Sequence, residues 1–536
     1  MRHRAVWPPG LPETLPPPEG SVYDNLRRAV ERAPDRDALV YYGRRTRYAD
    51  LSAHVERLAA HLSGAGVRAG DRVALYMQNA PQFVVAYYAI LAANAVIVPI
   101  NPMCLRDELA YVLRDAGAVA LLYGTERAPE VSAIWEDAGR PHLVHAHYRH
   151  EIDPDTDLDL PRELIAPEAL APGVPWRDAL SDPRDVPHHD RGPEDWCIIP
   201  YSSGTTGQPK GCLHTHASVN AVIQAYPLWI GVAEGARVLA TLPFCHVTGM
   251  QHSMNLPIRM AATTTLMTRW NAGMAADLIE REKIEHWRSI TTMMIDFLAL
   301  PGIAARDLSS LKAVGGGGAQ MPQDVARKMA DLIGLPYIEA YGLTETMAPI
   351  LINPPQAPRP QCLGIPIFDV DARIVHPDTL EELAPGFAGE IVVHAPQVFA
   401  GYWQRPEATA AAFLEIAGKR FFRTGDIGQM DEDGFFTFVD RLKRMINVGG
   451  LKVWPAEVEA ILHGHPEIAE ACVVADPDPR TGEAVRAVLV PRPGPTPAGL
   501  TAWCRARMAR YKVPQRFEFR EALPRSGAGK VLWREL

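Results

Sequence analysis

"YSSGTTGQPKG", residues 201–211, holds Gly204, Gly207, Gly211 and Pro209, and five hydroxyls between Tyr201 and Thr206. Such a segment makes a poor helix and a poor strand. It makes a good loop, lined with N–H and O–H donors and ending in a cation, Lys210. Successive backbone N–H groups in a glycine turn form a concave nest for an anion, and phosphate oxygens are the usual guest. The P-loop spacing G-x-x-x-x-G-K-[ST] is absent, because Lys210 comes three residues after Gly207 and is followed by glycine.

The rest of the chain sets that loop in a large protein. With 536 residues it exceeds what one hydrophobic core usually supports, so several domains are expected. Composition is that of a globular protein, 47% hydrophobic and 22% charged. A net charge of −9 argues against a nucleic-acid partner. The seven cysteines (104, 197, 212, 245, 362, 472 and 504) form no C-x-x-C pair. They read as reduced thiols of a cytoplasmic protein, without a disulfide framework or zinc site.

Outward from the loop, helical and strand patterns alternate. Leu51, Val55, Leu58 and Leu62 recur at helical spacing, and Gly64 and Gly66 stop that helix. "RVALYM" (72–77) reads as a buried strand. The uncharged run 83–100 is borderline in length for a bilayer. Asn94, Pro99 and the β-branched residues after Ala95 favour a helix over 81–93, a turn and a buried strand over 96–100, with no transmembrane segment. The alternation predicts a parallel sheet covered by helices. Residues 150–195, rich in Pro and Asp, are expected to form a long surface connection. A further α/β portion follows over about 219–352, and residues 364–440 look β-rich and barrel-like. The prolines of residues 1–20 predict an extended arm. Charge changes sign near residue 440. Residues 441–536 hold 16 Lys and Arg against 10 Asp and Glu, a net of +6, and the remainder carries −15. A small basic piece beside a large acidic one suits closure over a polyanion. The expected organisation is an arm (1–20), a large α/β domain (21–440) and a small mobile α+β domain (443–536).

Further motifs follow the loop in order: "LPFCHVTG" (242–249), "GGGGAQMP" (315–322), "YGLTET" (341–346), "RTGD" (423–426), "DRLKRMINVGGLKVWPAEVE" (440–459) and "PRSGAGK" (524–530). With these the sequence resembles the adenylate-forming enzymes, which include acyl-CoA synthetases, firefly luciferase and the adenylation domains of nonribosomal peptide synthesis. The resemblance implies ATP-dependent ligation of a carboxylic acid to CoA through an acyl-adenylate, with Mg²⁺. On it, Ser202, Ser203, Gly204, Thr205, Thr206, Gly207 and Lys210 hold the β- and γ-phosphates. Tyr341 stacks on adenine, with Gly342 beside it and Gly317 and Ala319 against the other face. Thr344 donates to the α-phosphate, and Glu345 with Thr205 holds Mg²⁺. Asp426 accepts from the ribose hydroxyls, and Arg441 contacts ribose and phosphate. His246 lines the acyl site, whose pocket takes in Val247, Gly249, Met250, Gly318, Gly342 and Met347. Lys443 is the hinge. Gly449, Gly450 and Lys452 border the CoA passage, and Lys530 is the catalytic lysine.

The resemblance implies further limits. Acetate-type relatives carry Trp where this chain has Gly342, so a larger acid is expected, with a medium- or long-chain fatty acid favoured. An aryl acid, or a carrier-protein thiol as acceptor, stays open. So does a non-catalytic sensor on the same fold, against which the intact Glu345, Asp426 and Lys530 speak. A homodimer is left open. Cys212 and Cys245 flank motifs without an adjacent base and read as packing residues.

Overall fold

The computed structural model describes residues 2–168, 170–202, 208–318, 320–448, 451–492, 499–525 and 531–536. The chain divides into two compact units. One comprises residues 1–371 with 393–422, the other 372–392 with 423–536.

Within the described residues, the first unit has two nine-stranded sheets. In one, Arg72–Tyr76 pairs in parallel with Val96–Pro99 and with Ala118–Gly124, which pairs in parallel with His142–Ala146. The helix Tyr48–Gly64 buries Leu51, Val55, Leu58 and Leu62, as its spacing predicts. The uncharged run resolves as the helix Pro81–Ala92, buried along its whole length, a left-handed turn at Asn94 (φ 62°), and the buried strand Val96–Pro99. Proline opens that helix, where its missing N–H costs nothing. No helix among the described residues is long and apolar enough to cross a membrane.

In the other sheet the parallel strands Thr263–Leu266, Arg237–Ala240, His286–Ser289, Ala313–Gly317 and Tyr337–Leu343 lie side by side in that order. Ala348–Ile352 then returns antiparallel. The α/β class read from the sequence is the one observed.

Two local expectations differ. The connection 150–195 is more than surface chain. Its strand Val174–Pro175 extends the first sheet beside His142–Ala146, and Leu164, Trp176 and Ala179 are buried. The arm opens with a 3₁₀ turn, Arg2–Val6, before its extended part. Trp7 anchors it, edge-on to Trp229 and Phe368 at centroid distances of 4.9 and 5.5 Å. Hydrogen bonds to its backbone hold the remainder, from Leu15 N–H to Asp369 and from Gln224 to the Pro16 carbonyl.

The second unit carries a sheet ordered Leu451–Val453, Ile446–Val448, Gly482–Pro491 and Ile468–Asp478, with Arg516–Phe519 also on Gly482–Pro491. The helices Pro455–His463 and Leu500–Arg505 contribute Val458, Leu462 and Leu500 to its core. The strand Phe436–Arg441 pairs antiparallel with the end of Lys419–Met430.

Candidate active site

The opening loop is a β-hairpin at its base. Lys210 pairs with Ser202 and Gly211 with Tyr201. Side chains brace both arms: the Tyr201 hydroxyl donates to Asp115 at 2.7 Å, and the Tyr111 hydroxyl to the Pro209 carbonyl at 2.8 Å. Ser203, Gly204, Thr205, Thr206 and Gly207, at the tip, lie outside the described residues. So do Ala319, Gly449, Gly450 and Lys530.

The strand leaving the loop, Lys210–Thr215, brings separate motifs together. His214 Nε2 donates to the Thr344 carbonyl at 2.9 Å. Burial lowers the His214 pKa to about 4, so the ring is neutral at ordinary pH and the carbonyl fixes its proton on Nε2. Gly401–Tyr402 pairs alongside the same strand, Tyr402 opposite Cys212. The Tyr402 hydroxyl donates to Glu345 Oε1 at 3.0 Å, and the Lys210 ammonium lies 4.9 Å from the Tyr402 ring centroid. The Phe399 N–H donates to the Glu345 carbonyl at 2.8 Å. Glu345 is thus a buried carboxylate held in side chain and backbone alike. Sequence reasoning missed both His214 and Tyr402. Period-two alternation from Lys210 carries the signal for His214, since residues 210, 212 and 214 share one face of a strand. Tyr402 has only its place after glycine in "FAGYW".

Thr344 and Glu345 sit in the 3₁₀ turn Thr344–Thr346. The Leu343 N–H donates to Thr346 Oγ1 at 2.9 Å, and Thr346 is itself buried. Tyr341 is buried at the end of the preceding strand. Gly342 is exposed, yet a Cβ there would point into the neighbouring strand, 2.2 Å from the Ala348 carbonyl oxygen. Gly315, Gly316 and Gly317 are equally confined, against the carbonyls of Ile338, Ser289 and Ala340 at 2.3, 1.8 and 2.3 Å. Gly318 is different, at φ +89° in open space, a conformation that favours glycine.

His246 is exposed and precedes the short helix Val247–Met250, with Asn101 Nδ2 3.4 Å from its Nε2. Val247, Met250 and Met347 belong to the main core cluster, and Gly249 packs on the Pro243 carbonyl. Burial pushes the Cys245 thiol up to about 12 and Cys212 well above its usual value, which suits packing residues and not nucleophiles.

In the second unit, Asp426 and Arg441 face each other across the antiparallel pair, Arg441 Nε 2.6 Å from Asp426 Oδ1. Asp426 is fully buried, and its N–H donates to Thr424 Oγ1, whose hydroxyl donates to the Ile391 carbonyl. Lys443 lies in the 3₁₀ turn Leu442–Arg444. That turn is held on both sides: Asp440 accepts from the Ala456 N–H at 2.6 Å, and Arg444 pairs with Glu459. Lys452 pairs in register with Asn447. A Mg²⁺ ion fits the donor set near Glu345. No group of three metal-ligating side chains occurs among the described residues, and Mg²⁺ is commonly held by one or two carboxylates, substrate phosphates and water.

Residues 26–403 match the model of the AMP-binding enzyme family, and residues 457–530 match that of the AMP-binding enzyme C-terminal domain. A long-chain-fatty-acid–CoA ligase of Bacillus subtilis is 33% identical, covering 99% of this chain and 97% of the relative. A feruloyl-CoA synthase of an Amycolatopsis species is 36% identical over 94% of this chain and 96% of its own. A crystal structure of an anthranilate CoA ligase in complex with anthranoyl-AMP superposes with a TM-score of 0.81 at 25% identity, covering 98% of this chain and 96% of that one. Relatives that span almost the whole chain, and two family models that match it in order, agree with the joined loop and YGLTET motifs: the chain is an enzyme of the AMP-binding family, in its acyl-CoA ligase group.

Proposed function

We propose that the protein joins a carboxylic acid larger than acetate to CoA in two steps, through an acyl-adenylate, releasing AMP and diphosphate. The observation that carries this reading is the strand Lys210–Thr215. It sets the cation of the glycine loop and the His214 support of Thr344 beside the carboxylate of Glu345.

A carboxylate resists thiol attack because its leaving group would be oxide. Adenylation replaces that leaving group with AMP. Lys210 and the loop N–H groups hold the β- and γ-phosphates while diphosphate departs, and Thr344 donates to the α-phosphate. Tyr341 stacks on adenine, and Asp426 with Arg441 takes the ribose. Lys530 offsets the charge that develops between the acid and the α-phosphate. Glu345, oriented by Tyr402, with Thr205, holds Mg²⁺, which when bound supplies charge neutralisation at the phosphates. In the second step residues 443–536 turn about Lys443 against the large domain 21–440 and exchange Lys530 for Gly449, Gly450 and Lys452. Glycine has no side chain to obstruct a narrow thiol arm.

The test is ATP–diphosphate exchange across a panel of carboxylic acids, repeated with CoA while thioester is measured. Exchange without CoA and thioester only with it is the expected result. Exchange without thioester formation would point to a carrier-protein thiol as acceptor. No exchange with any acid would remove the ligase reading.

A further inference from the structure

Two neighbouring parallel strands, Arg237–Ala240 and His286–Ser289, send their following connections in opposite directions. Residues 241–262 lead to Thr263–Leu266 on one side, and residues 290–312 to Ala313–Gly317 on the other. The crevice outside the carboxyl ends of such a pair is where open parallel sheets bind ligands. Arg288 is the next-to-last residue of His286–Ser289, at that end of the strand. It is only 4% exposed, and its Nη2 has no hydrogen-bond partner.

The surroundings do not neutralise it. The guanidinium carbon lies 5.4 Å from the Tyr226 ring centroid, and that ring stands 4.0 Å from the ring of His252. On the other side a Cβ at Gly315 would fall 2.5 Å from Arg288 Nη1, so glycine there leaves the space the guanidinium fills. Burial, and next the Arg288 charge, bring His252 down to about 3 and His286 to about 4, so both rings are neutral. Each also has an Nδ1 without a partner. Burial pushes the Tyr226 phenol up, away from phenolate. Glu339 accepts from the Met321 and Gln361 N–H groups, and no carboxylate pairs with Arg288 among the described residues. His252 lies in a π-helical turn, Gln251–Asn255, that continues directly from Val247–Met250. Such turns are frequent at functional sites. A guanidinium does not deprotonate, and withdrawing one from water without a counter-ion is strongly unfavourable. A ligand that brings the anion resolves both problems.

We propose that Arg288, with Tyr226 and His252, receives a second carboxylate at the far end of the acid, so that the enzyme activates dicarboxylic acids. The proposal rests on the ligase reading above. The apolar residues Val247 and Met250 then border the body of the substrate, and Arg288 closes its distal end. This departs from a simple fatty acid, whose terminal methyl would leave the buried charge uncompensated.

The experiment is ATP–diphosphate exchange by the full-length protein with acids whose far end is methyl, hydroxyl or carboxylate. One series is built on an alkyl chain and one on an aromatic ring. The carboxylate-ended acid of one series should exceed its methyl-ended partner by about 10²-fold or more in kcat/KM, because the methyl leaves buried polar groups unpaired. The series in which this occurs identifies the body as alkyl or aryl. Arg288→Met should remove that preference mainly through KM, and Arg288→Lys should keep part of it. A wild-type enzyme that prefers methyl- or hydroxyl-ended acids overturns the proposal, whatever the variants do. So does a folded Arg288→Met that still prefers the diacid. Exchange with no acid in either series removes the ligase reading, and this proposal with it.

Discussion

The Tyr402 hydroxyl donates to Glu345 Oε1 across 3.0 Å, joining residues 57 positions apart. The same ring meets the Lys210 ammonium from its face at 4.9 Å. One aromatic side chain therefore touches both the cation of the glycine loop and the carboxylate proposed to hold Mg²⁺. It fixes the rotamer of Glu345 before any ligand arrives, and outer partners of this kind tune metal ligands. Tyr402→Phe keeps the ring and the contact with Lys210 but removes the bond to the carboxylate. The expected result is a Mg²⁺ requirement raised about 10-fold or more in ATP–diphosphate exchange, with the fold intact. An unchanged Mg²⁺ dependence would separate Tyr402 from the metal site.

Asp426 and Arg441 make a second pair, 2.6 Å apart across two strands. Asp426 is fully buried and Arg441 partly exposed, so the arginine can reach a ligand while the carboxylate is held in place. Asp426→Ala should raise the KM for ATP by about 10-fold or more, since a hydrogen bond to a charged group contributes roughly 1.5–3 kcal/mol. Its effect and that of Arg441→Ala should be non-additive, because each removes the partner of the other. A normal KM in a folded Asp426→Ala variant would contradict the ribose assignment.

Much of this was legible in the sequence wherever the signal was local. The helix Tyr48–Gly64 and the buried strand Val96–Pro99 follow from apolar spacing and from glycine and proline punctuation. The strand Val174–Pro175 was hidden, because two residues in a Pro- and Asp-rich stretch carry no period to read. Tyr402 was hidden for another reason. Its place is set by pairing of Gly401–Tyr402 with Cys212 and Leu213, which lie far away along the chain, and such pairing is the least local information a sheet contains. Arg288 did leave a sign, a cation within the otherwise apolar and polar strand "HWRS", but its meaning needed the crossing of strand connections around it.

Gly342 shows how the structure changes an expectation. The resemblance to acetate-type relatives implies that tryptophan there would fill the acyl site and redirect the enzyme to acetate or propionate. A Cβ at this position instead meets the Ala348 carbonyl oxygen at 2.2 Å and the Pro349 Cα at 2.9 Å, both backbone atoms of the neighbouring strand. Even Gly342→Ala must push apart Tyr337–Leu343 and Ala348–Ile352, which hold the turn bearing Thr344 and Glu345 between them. Loss of about 1–3 kcal/mol of stability is expected, together with loss of exchange on every acid. A folded, active Gly342→Trp with a new preference for acetate would show that the strand pair yields more readily than this packing implies.

Buried histidines give the last prediction, which concerns acid. Burial lowers His214 and His286 to about 4 and His216 and His252 to about 3, against 6.5 for the free side chain. In the unfolded chain these groups take up protons near pH 6.5, and in the folded chain they do not. Their contribution to stability is therefore fully present above pH 6.5 and is lost as pH falls towards 4 and 3. A tenfold difference in proton affinity between the folded and unfolded chain corresponds to about 1.4 kcal/mol. Together the four rings can therefore withdraw several kcal/mol from a fold whose total is on the order of 5–15 kcal/mol. Glu126 acts the other way, because burial raises it to about 7 and the fold keeps its proton between pH 4.5 and 7. Burial also raises Glu151, Glu339 and Asp440, and it also lowers His3, His142, His145, His150 and His189, so the histidines remain the more numerous set. The thermal midpoint should hold between about pH 8 and 7 and fall steeply below about 6. His216→Asn keeps an acceptor for the Val22 N–H, which His216 Nδ1 now receives at 3.1 Å, and should make the descent shallower. A midpoint that stays level from about pH 8 to 4.5 would mean that these rings take up protons without leaving the fold.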